Sequence, residues 1–406
     1  MDKHFSDGAA VAHYPDKGET PSNYLFDEFL NLSTNCRSFQ PEPYSTFLVI
    51  QGGGAKGAWQ GAVLNRLIES GAINPAGAVG SSAGAINAWL ISEKLRNVSK
   101  DPFLSFWIKV PIVAWTLLPF LLLRLLAHEA VKHLHRIWVE RGIRFKPLLS
   151  QSIFSAIFRH LLPVGPAKIF TYIQVTNIDG AAPPNIRDDD AHPFFYFKPG
   201  DMESDLMGET PQTSAAEAIA SSCSLPYIGP LLREGRTFAD GGIYSNLPIN
   251  TVFRGGTVGT HFVLCLCAVP IAELDAKSDF VDYRMLGLLH ELKKFQEDQL
   301  KLFLENMNVV SATALAPIFV VEPEKRLCSK TARGFFAWPL LLWESYLGKK
   351  AANRFLDDLG KCQQNPSLLR KRALIEIVLP PLPVTPPKLT GHWVDWVNFG
   401  WKQKAP

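Results

Sequence analysis

Several signatures are missing from this chain, and each absence narrows what it does. The six cysteines (Cys36, Cys223, Cys265, Cys267, Cys328 and Cys362) are scattered, with no CxxC pair. A zinc site or a disulfide framework is therefore not expected. The start, MDKHFSDGAAVAHYPDKGE, has no apolar core of the kind a secretory signal needs, so reduced thiols and a cytoplasmic location are the simplest reading. Net charge is only +3, and nothing global points to nucleic acid as a partner. No internal repeat is evident. Asp188–Asp190 lack the spaced ligands and central glycine of a calcium loop, so neither a metal nor another cofactor is expected.

The longest uncharged apolar segment is VPIVAWTLLPFLLL at 110–123; it is 14 residues long and interrupted by two prolines. That is too short for a membrane span, which needs roughly 20 residues. It reads either as a buried helix or lid, or as an interfacial segment. The stretch that follows it, Arg124–Lys146, carries six Lys/Arg against two acids. A basic patch beside an apolar run suits a membrane surface.

What is present is a globular composition, 47% hydrophobic and 19% charged over 406 residues. Residues 1–44 read as a polar arm with one short helix near 23–32, and Phe47–Ile50 as a buried strand ending in glycine. A helix is predicted over Gly57–Ser70, a short strand over Gly77–Gly80, and a second helix over Ser82–Arg96. Strand, turn, helix, strand, turn, helix is the pattern of a parallel sheet with covering helices. After an apolar and basic helical insertion, 100–162, the sequence predicts strands at 169–180, 261–268, 317–323 and 373–380. Helices are expected at 213–223 and 282–306, and a long polar loop at 181–205. In HFVLCLCAV, Cys265 and Cys267 should share one face of a buried strand and act as small hydrophobes. No domain boundary is evident before Pro380, where a proline-rich linker leads to an aromatic tail.

Two glycine turns carry the chemistry. The first, Gly52-x-Gly54-x-x-Gly57, satisfies the dinucleotide fingerprint as a string, and Glu69 is the nearest acid for a ribose hydroxyl. It lies inside the predicted helix rather than at a strand end, which weakens that match. No Gly-Lys-Ser/Thr follows, so a P-loop is excluded. The second turn is Gly80-Ser81-Ser82-Ala83-Gly84, a G-x-S-x-G arrangement. Ser82 is either a plain helix N-cap or a nucleophile projected from a tight strand-to-helix turn. A serine attacking an ester creates an oxyanion, and a glycine turn on the neighbouring strand supplies backbone donors unobstructed by side chains. For the base, His261, His290 and His392 all follow Ser82, but none sits in a purposeful loop. Asp240, in RTFADGGIYSNLPI, is the better candidate, although its Asp-Gly also reads as a hairpin turn.

Taken in order, these motifs resemble the patatin-like phospholipase family. The resemblance rests on Gly52-Gly53-Gly54-Ala55-Lys56-Gly57, on Gly80–Gly84 and on Asp240-Gly241-Gly242. ASSCSLPYIGP (220–230) and Asn246-Leu247-Pro248 are softer matches. It implies a three-layer α/β fold, a central mostly parallel sheet with helices on both faces, forming a catalytic domain over 45–379. It implies Ser82 as nucleophile, Asp240 as its base, and Gly52, Gly53 and Gly54 as the oxyanion hole. The expected substrate is a fatty-acyl ester of a phospholipid or other lipid, presented at a membrane surface. The competing readings are a dinucleotide-binding oxidoreductase and a catalytically idle membrane-binding scaffold.

Overall fold

The computed structural model describes residues 44–97, 100–116, 151–162, 167–177, 194–197, 215–224, 231–233, 236–243, 246–249, 260, 262–277, 279–305, 316–327, 337–362, 364–365 and 367–387. The expected N-terminal arm, the basic stretch after 123, Asp188–Asp190 and the aromatic tail lie outside them. Five parallel strands make the centre of the sheet. They are β1 (Tyr44–Ile50), β2 (Ile73–Ser81), β3 (Phe170–Asn177), β7 (Phe262–Leu266) and β8 (Ile318–Val321). Three antiparallel members complete an 8-stranded sheet: β4 (Phe194–Phe197), β5 (Leu231–Arg233) and β6 (Arg236–Asp240). The order is β5-β6-β3-β2-β1-β7-β8, with β4 also on β3.

Strand β1 shows why this sheet is buried on both faces. Leu48 and Ile50 point into one apolar cluster, with Trp59, Leu64, Trp107 and Phe355. Phe47 and Val49 point into the other, with Met285, Leu289 and Leu292. The period of two divides one apolar run between two layers. The first layer holds α1 (Gly57–Glu69), α2 (Ala83–Leu95), α3 (102–116), α4 (Gln151–Leu161), α5 (Ala215–Ser222) and α7 (Trp338–Lys361). The second holds α6 (Phe280–Glu305). The three-layer arrangement read from the sequence is the observed one. Cys265 and Cys267 do share a face, both packing in the second cluster.

Helix α3, inside the expected insertion, starts where local chemistry dictates. Asp101 caps it by accepting the Leu104 amide at 2.9 Å, and Pro102 occupies the first turn, where its missing N–H costs nothing.

Three expectations need correction. Strand β2 begins at Ile73, not Gly77; a register shift opposite Thr46/Phe47 accommodates Pro75, which has no N–H to give the ladder. The loop expected over 181–205 contains β4, whose aromatic run FFYF pairs with β3. ALIEIVLP is not a strand. Only Ala373 bridges to Phe319, and a 3-10 turn follows at Leu374–Glu376. Beyond it, side chains of α6 take the carbonyls a ladder would have used: Lys293 Nζ donates to Ile377 O at 3.0 Å, and His290 Nε2 bonds Pro380 O at 2.8 Å.

Candidate active site

Strand β2 ends at Ser81, and the chain turns at Ser82 with φ 52° and ψ −121°. A positive φ is strained for any residue with a Cβ, and such strain persists only where the surroundings enforce it. Here the flanking glycines do so. A Cβ on Gly80 would collide with the Gly84 carbonyl, and one on Gly84 would lie 2.8 Å from the Gln51 carbonyl. Only at this close approach does α2 begin directly above the strand ends. Ser82 is not an ordinary side-chain N-cap: its hydroxyl makes no capping bond, while its carbonyl accepts the Ala85 amide at 2.9 Å.

Asp240 reaches Ser82 through the register of β3. Ile173 and Gln174 pair with β2 and with β4; Val175 and Thr176 pair with β4 and with β6. Because a strand has two edges, β2 and β6 must follow one another along the edge opposite β4. Ser81 faces Gln174, and Asp240 faces the next residue, Val175. The end of the parallel strand and the end of the antiparallel one therefore meet head to head. A 3-10 turn at Gly241–Ile243 follows Asp240, so the Asp-Gly pair does not form a hairpin.

Buried polar groups fix both ends. Thr176 Oγ1 donates to the Asp240 carbonyl at 2.9 Å, and Gln174 Nε2 to the Gly241 carbonyl at 2.9 Å. The end of α5 and the residues just after it hold both partners. Ser222 Oγ accepts the Ser82 amide at 2.9 Å while donating to Gln174 O at 2.6 Å, and the Ser224 carbonyl takes the Asp240 amide at 3.3 Å. Ser222 and Gln174 had no signal as individual positions in the sequence, although Ser222 lies in ASSCSLPYIGP.

Asp240 is only 2% exposed, and its Oδ1 accepts the Gly242 amide at 2.7 Å. Burial raises its pKa from 3.8 to about 7, against the opposing effects of the Gly242 amide and the Ser82 hydroxyl. Oδ2 has no hydrogen bond of regular geometry among the described residues, so its link to Ser82 is a loose one. Catalytic pairs commonly tighten only when substrate arrives. Burial, with Asp240 beside it, also holds the neighbouring Cys223 thiol well above its usual range and therefore protonated.

This ionisation has a consequence for stability. Below pH 3.8 the carboxyl is protonated in both folded and unfolded chains. Between 3.8 and about 7 the folded protein keeps a proton that the unfolded chain releases, so stability contributed here falls as pH rises through that window and levels off above it. The melting-temperature advantage of Asp240→Asn over wild type should accordingly grow from pH 4 to 7. A difference that stays constant across this range would place the carboxyl near its ordinary value.

The first glycine turn lies against Ser82. A Cβ on Gly52 would come within 3.1 Å of the Ser82 Cβ. Gly52 cannot serve as an open donor, because its amide is already bonded to the Asn246 carbonyl at 2.8 Å. The Gly53 and Gly54 amides make no hydrogen bond among the described residues. Gly54 has φ +57°, a conformation that favours glycine. The turn is anchored by Gln51, whose Oε1 accepts the Ala268 amide at 2.5 Å, and by Gln60, whose Nε2 donates to the Gln51 carbonyl at 2.8 Å.

The other candidates lie elsewhere. Glu69 is on α1, bonded to Lys94 Nζ at 2.9 Å and to Asn65 at 3.1 Å, and is unsuited to a ribose. His290 is engaged with Pro380, and His261 and His392 lie outside the described residues. Among the described residues no group of three His, Cys, Asp or Glu is placed to hold a metal ion.

The patatin-like phospholipase family model matches residues 48–253, just over half the chain. The chain belongs to the patatin-like phospholipase family. Patatin-like phospholipases are lipid acyl hydrolases, and this chain falls in that general activity class with lipid as its substrate. The matched span begins within β1 and contains both glycine turns, Ser82 and Asp240. No curated protein matches the chain. Among solved structures it is similar to VipD from Legionella pneumophila, with 15% identity and a TM-score of 0.34, covering 81% of this chain and 67% of that one. Among the described residues no helix is long and apolar enough to cross a membrane.

Proposed function

We propose that this protein hydrolyses fatty-acyl esters of phospholipids or other lipids through a Ser82 acyl-enzyme, with Asp240 as the general base. The observation that carries the reading is the head-to-head meeting of β2 and β6 on one edge of β3. It sets a strained, amide-anchored serine beside a buried carboxyl of raised pKa. Asp240 in its charged form takes the Ser82 proton as Oγ attacks the ester carbonyl, and the electron pair of the carbonyl moves onto oxygen. The Gly53 and Gly54 amides donate to that oxyanion; Gly52 positions the turn instead of donating. Collapse of the intermediate breaks the acyl–oxygen bond, and Asp240 returns its proton to the leaving alcohol. Water, deprotonated by Asp240, then attacks the acyl-enzyme; the acyl–Oγ bond breaks, the fatty acid leaves, and Asp240 returns the proton to Ser82 Oγ.

A raised pKa suits this task. A carboxylate at its usual pKa is a weak base for a hydroxyl, and burial brings its proton affinity closer to that of a neutral-pH base. The scheme needs no cofactor. The test is labelling with a fluorophosphonate ester, followed by identification of the modified residue. Modification at Ser82, abolished in Ser82→Ala, is the expected result. No labelling, together with a melting temperature that rises with nicotinamide nucleotides, would return the glycine turn to dinucleotide binding. Vesicle binding without labelling would identify an idle scaffold.

A further inference from the structure

Two helices of the first layer run past the sheet on the side where Ser82 and Asp240 lie. Helix α1 begins at that side, directly after the glycine turn. Helix α3 runs antiparallel to it: Phe103 packs at Gly61 and Trp107 at Gly57, with Trp107 Nε1 bonded to Asn87 Oδ1 at 3.0 Å. Helix α7 runs parallel to it. Ser345 Oγ reaches the Ala58 carbonyl at 3.4 Å, Gly348 abuts Trp59 and Ala62, and Asn353 accepts from Arg66 Nε at 2.7 Å. The last turns of α3 and the first turns of α7 therefore both project beyond the start of α1. At 1.5 Å per residue, α3 extends about 13 Å past Trp107 and α7 about 10 Å ahead of Ser345.

These two ends are apolar and more than half exposed at five large side chains. Ile112 and Trp115 on α3, and Trp338, Trp343 and Tyr346 on α7, are 55–60% exposed. Trp343 and Tyr346 stack with ring centroids 5.5 Å apart. On α7 the buried residues Leu341, Glu344, Ser345, Gly348 and Ala352 define one face, and Pro339, Trp343, Tyr346 and Lys350 follow the opposite one. The charge pattern is one-sided. Residues 102–116 contain no acid, and the only acid of 338–356, Glu344, is buried. The exposed lysines are Lys109, about one turn behind Ile112, and Lys349 and Lys350, about one turn behind Tyr346, on the side of the sheet.

We propose that these two helix ends form the surface by which the protein docks on an anionic lipid bilayer, with the dyad facing the membrane. The inference rests on the acyl-hydrolase reading only for the purpose of docking, not for its geometry. Tryptophan and tyrosine prefer the boundary between headgroups and acyl chains, having an apolar body and a polar tip. Lysines one turn behind Ile112 and Tyr346 face the phosphate level, each contributing about 1 kcal/mol near an anionic surface. The absence of exposed carboxylates on both ends matches the sign of such a surface. In sequence, α3 is followed by the apolar residues LLPFLLL (117–123) and then by the basic stretch 124–146.

The test uses the full chain with vesicles of mixed phosphatidylcholine and phosphatidylserine, and with pure phosphatidylcholine, at low and high salt. Ile112→Ser with Trp343→Ser should lower partition onto the mixed vesicles about tenfold or more. Lys349→Glu with Lys350→Glu should lower it several-fold at low salt and little at high salt. Both variants should keep wild-type melting temperature and wild-type hydrolysis of a short, water-soluble ester. Equal partition of variants and wild type overturns the proposal. A large drop in melting temperature with unchanged partition also overturns it, by showing that another segment of this chain covers the patch. Loss of a concentration-dependent dimer with unchanged partition overturns it in favour of a second copy. Patch-dependent vesicle binding without fluorophosphonate labelling of Ser82 supports docking and defeats only the hydrolase reading.

Discussion

Ser82→Ala and Asp240→Asn should each lower hydrolysis of a soluble acyl ester by at least about 10³-fold, and the double variant should be little worse than either single one. Residues acting as a unit are not additive: without the base the hydroxyl is a poor nucleophile, and without the hydroxyl the base has nothing to deprotonate. The arrangement also explains why Asn is the informative replacement at 240. It keeps an acceptor for the Gly242 amide, so the turn at Gly241–Ile243 is retained while the proton acceptor is lost. Both variants should fold; Asp240→Asn also removes a buried ionisable group. Multiplying the two single losses in the double variant would mean that the residues act independently. Substantial turnover in Asp240→Asn, with loss in His290→Ala or His261→Ala, would transfer the role of base to a histidine.

Gly53→Ala should lower kcat by about 10²–10³-fold with a far smaller change in KM, the loss expected for one oxyanion donor. The cause is contact, not torsion. Gly53 has φ −170°, an extended value open to any residue. An added Cβ would instead lie 2.9 Å from the Ala268 Cβ and 3.3 Å from the Lys56 Cβ. Ala268 is held by Gln51, which bonds its amide, so the turn and its amides have to shift. Because the oxyanion is absent from the bound ester and develops only as the transition state is approached, the displacement affects turnover more than binding. Steady-state kinetics on a soluble ester, with a melting curve to confirm folding, decides the matter. Normal turnover in a folded Gly53→Ala would remove this turn from the reaction.

Much of this protein is legible without coordinates. The apolar run at Phe47–Ile50, the helical periodicity after each glycine turn and the length of the 280–305 helix specify local structure by themselves, because burial pattern and backbone propensity act over a few residues. The same holds for the types of residue at the site. Glycines around Ser82, glycines after Asp240 and three glycines before Gly57 are local requirements of tight turns, and they place each group at a turn. ALIEIVLP shows where local reading stops: its composition is that of a strand, but Lys293 and His290, some ninety residues earlier in the chain, take its carbonyls.

The tertiary structure alone decided how the pieces meet. Ser82 and Asp240 are 158 positions apart in the sequence, and nothing local says that β2 and β6 share one edge of β3. That depends on hydrogen-bond register, which is a property of strand pairs and not of single strands. The elevated pKa of Asp240 likewise comes from burial by residues distant in sequence, a property that no composition around position 240 contains. Gly52 looks identical to Gly53 in sequence, yet the Asn246 carbonyl claims its amide and leaves its neighbours open. In the same way Trp343 and Ile112 read as ordinary helix residues; only the packing of α3 and α7 against α1 carries both to the end of the sheet where Ser82 and Asp240 lie. Short-range physics chose the groups, and long-range packing determined which of them face one another.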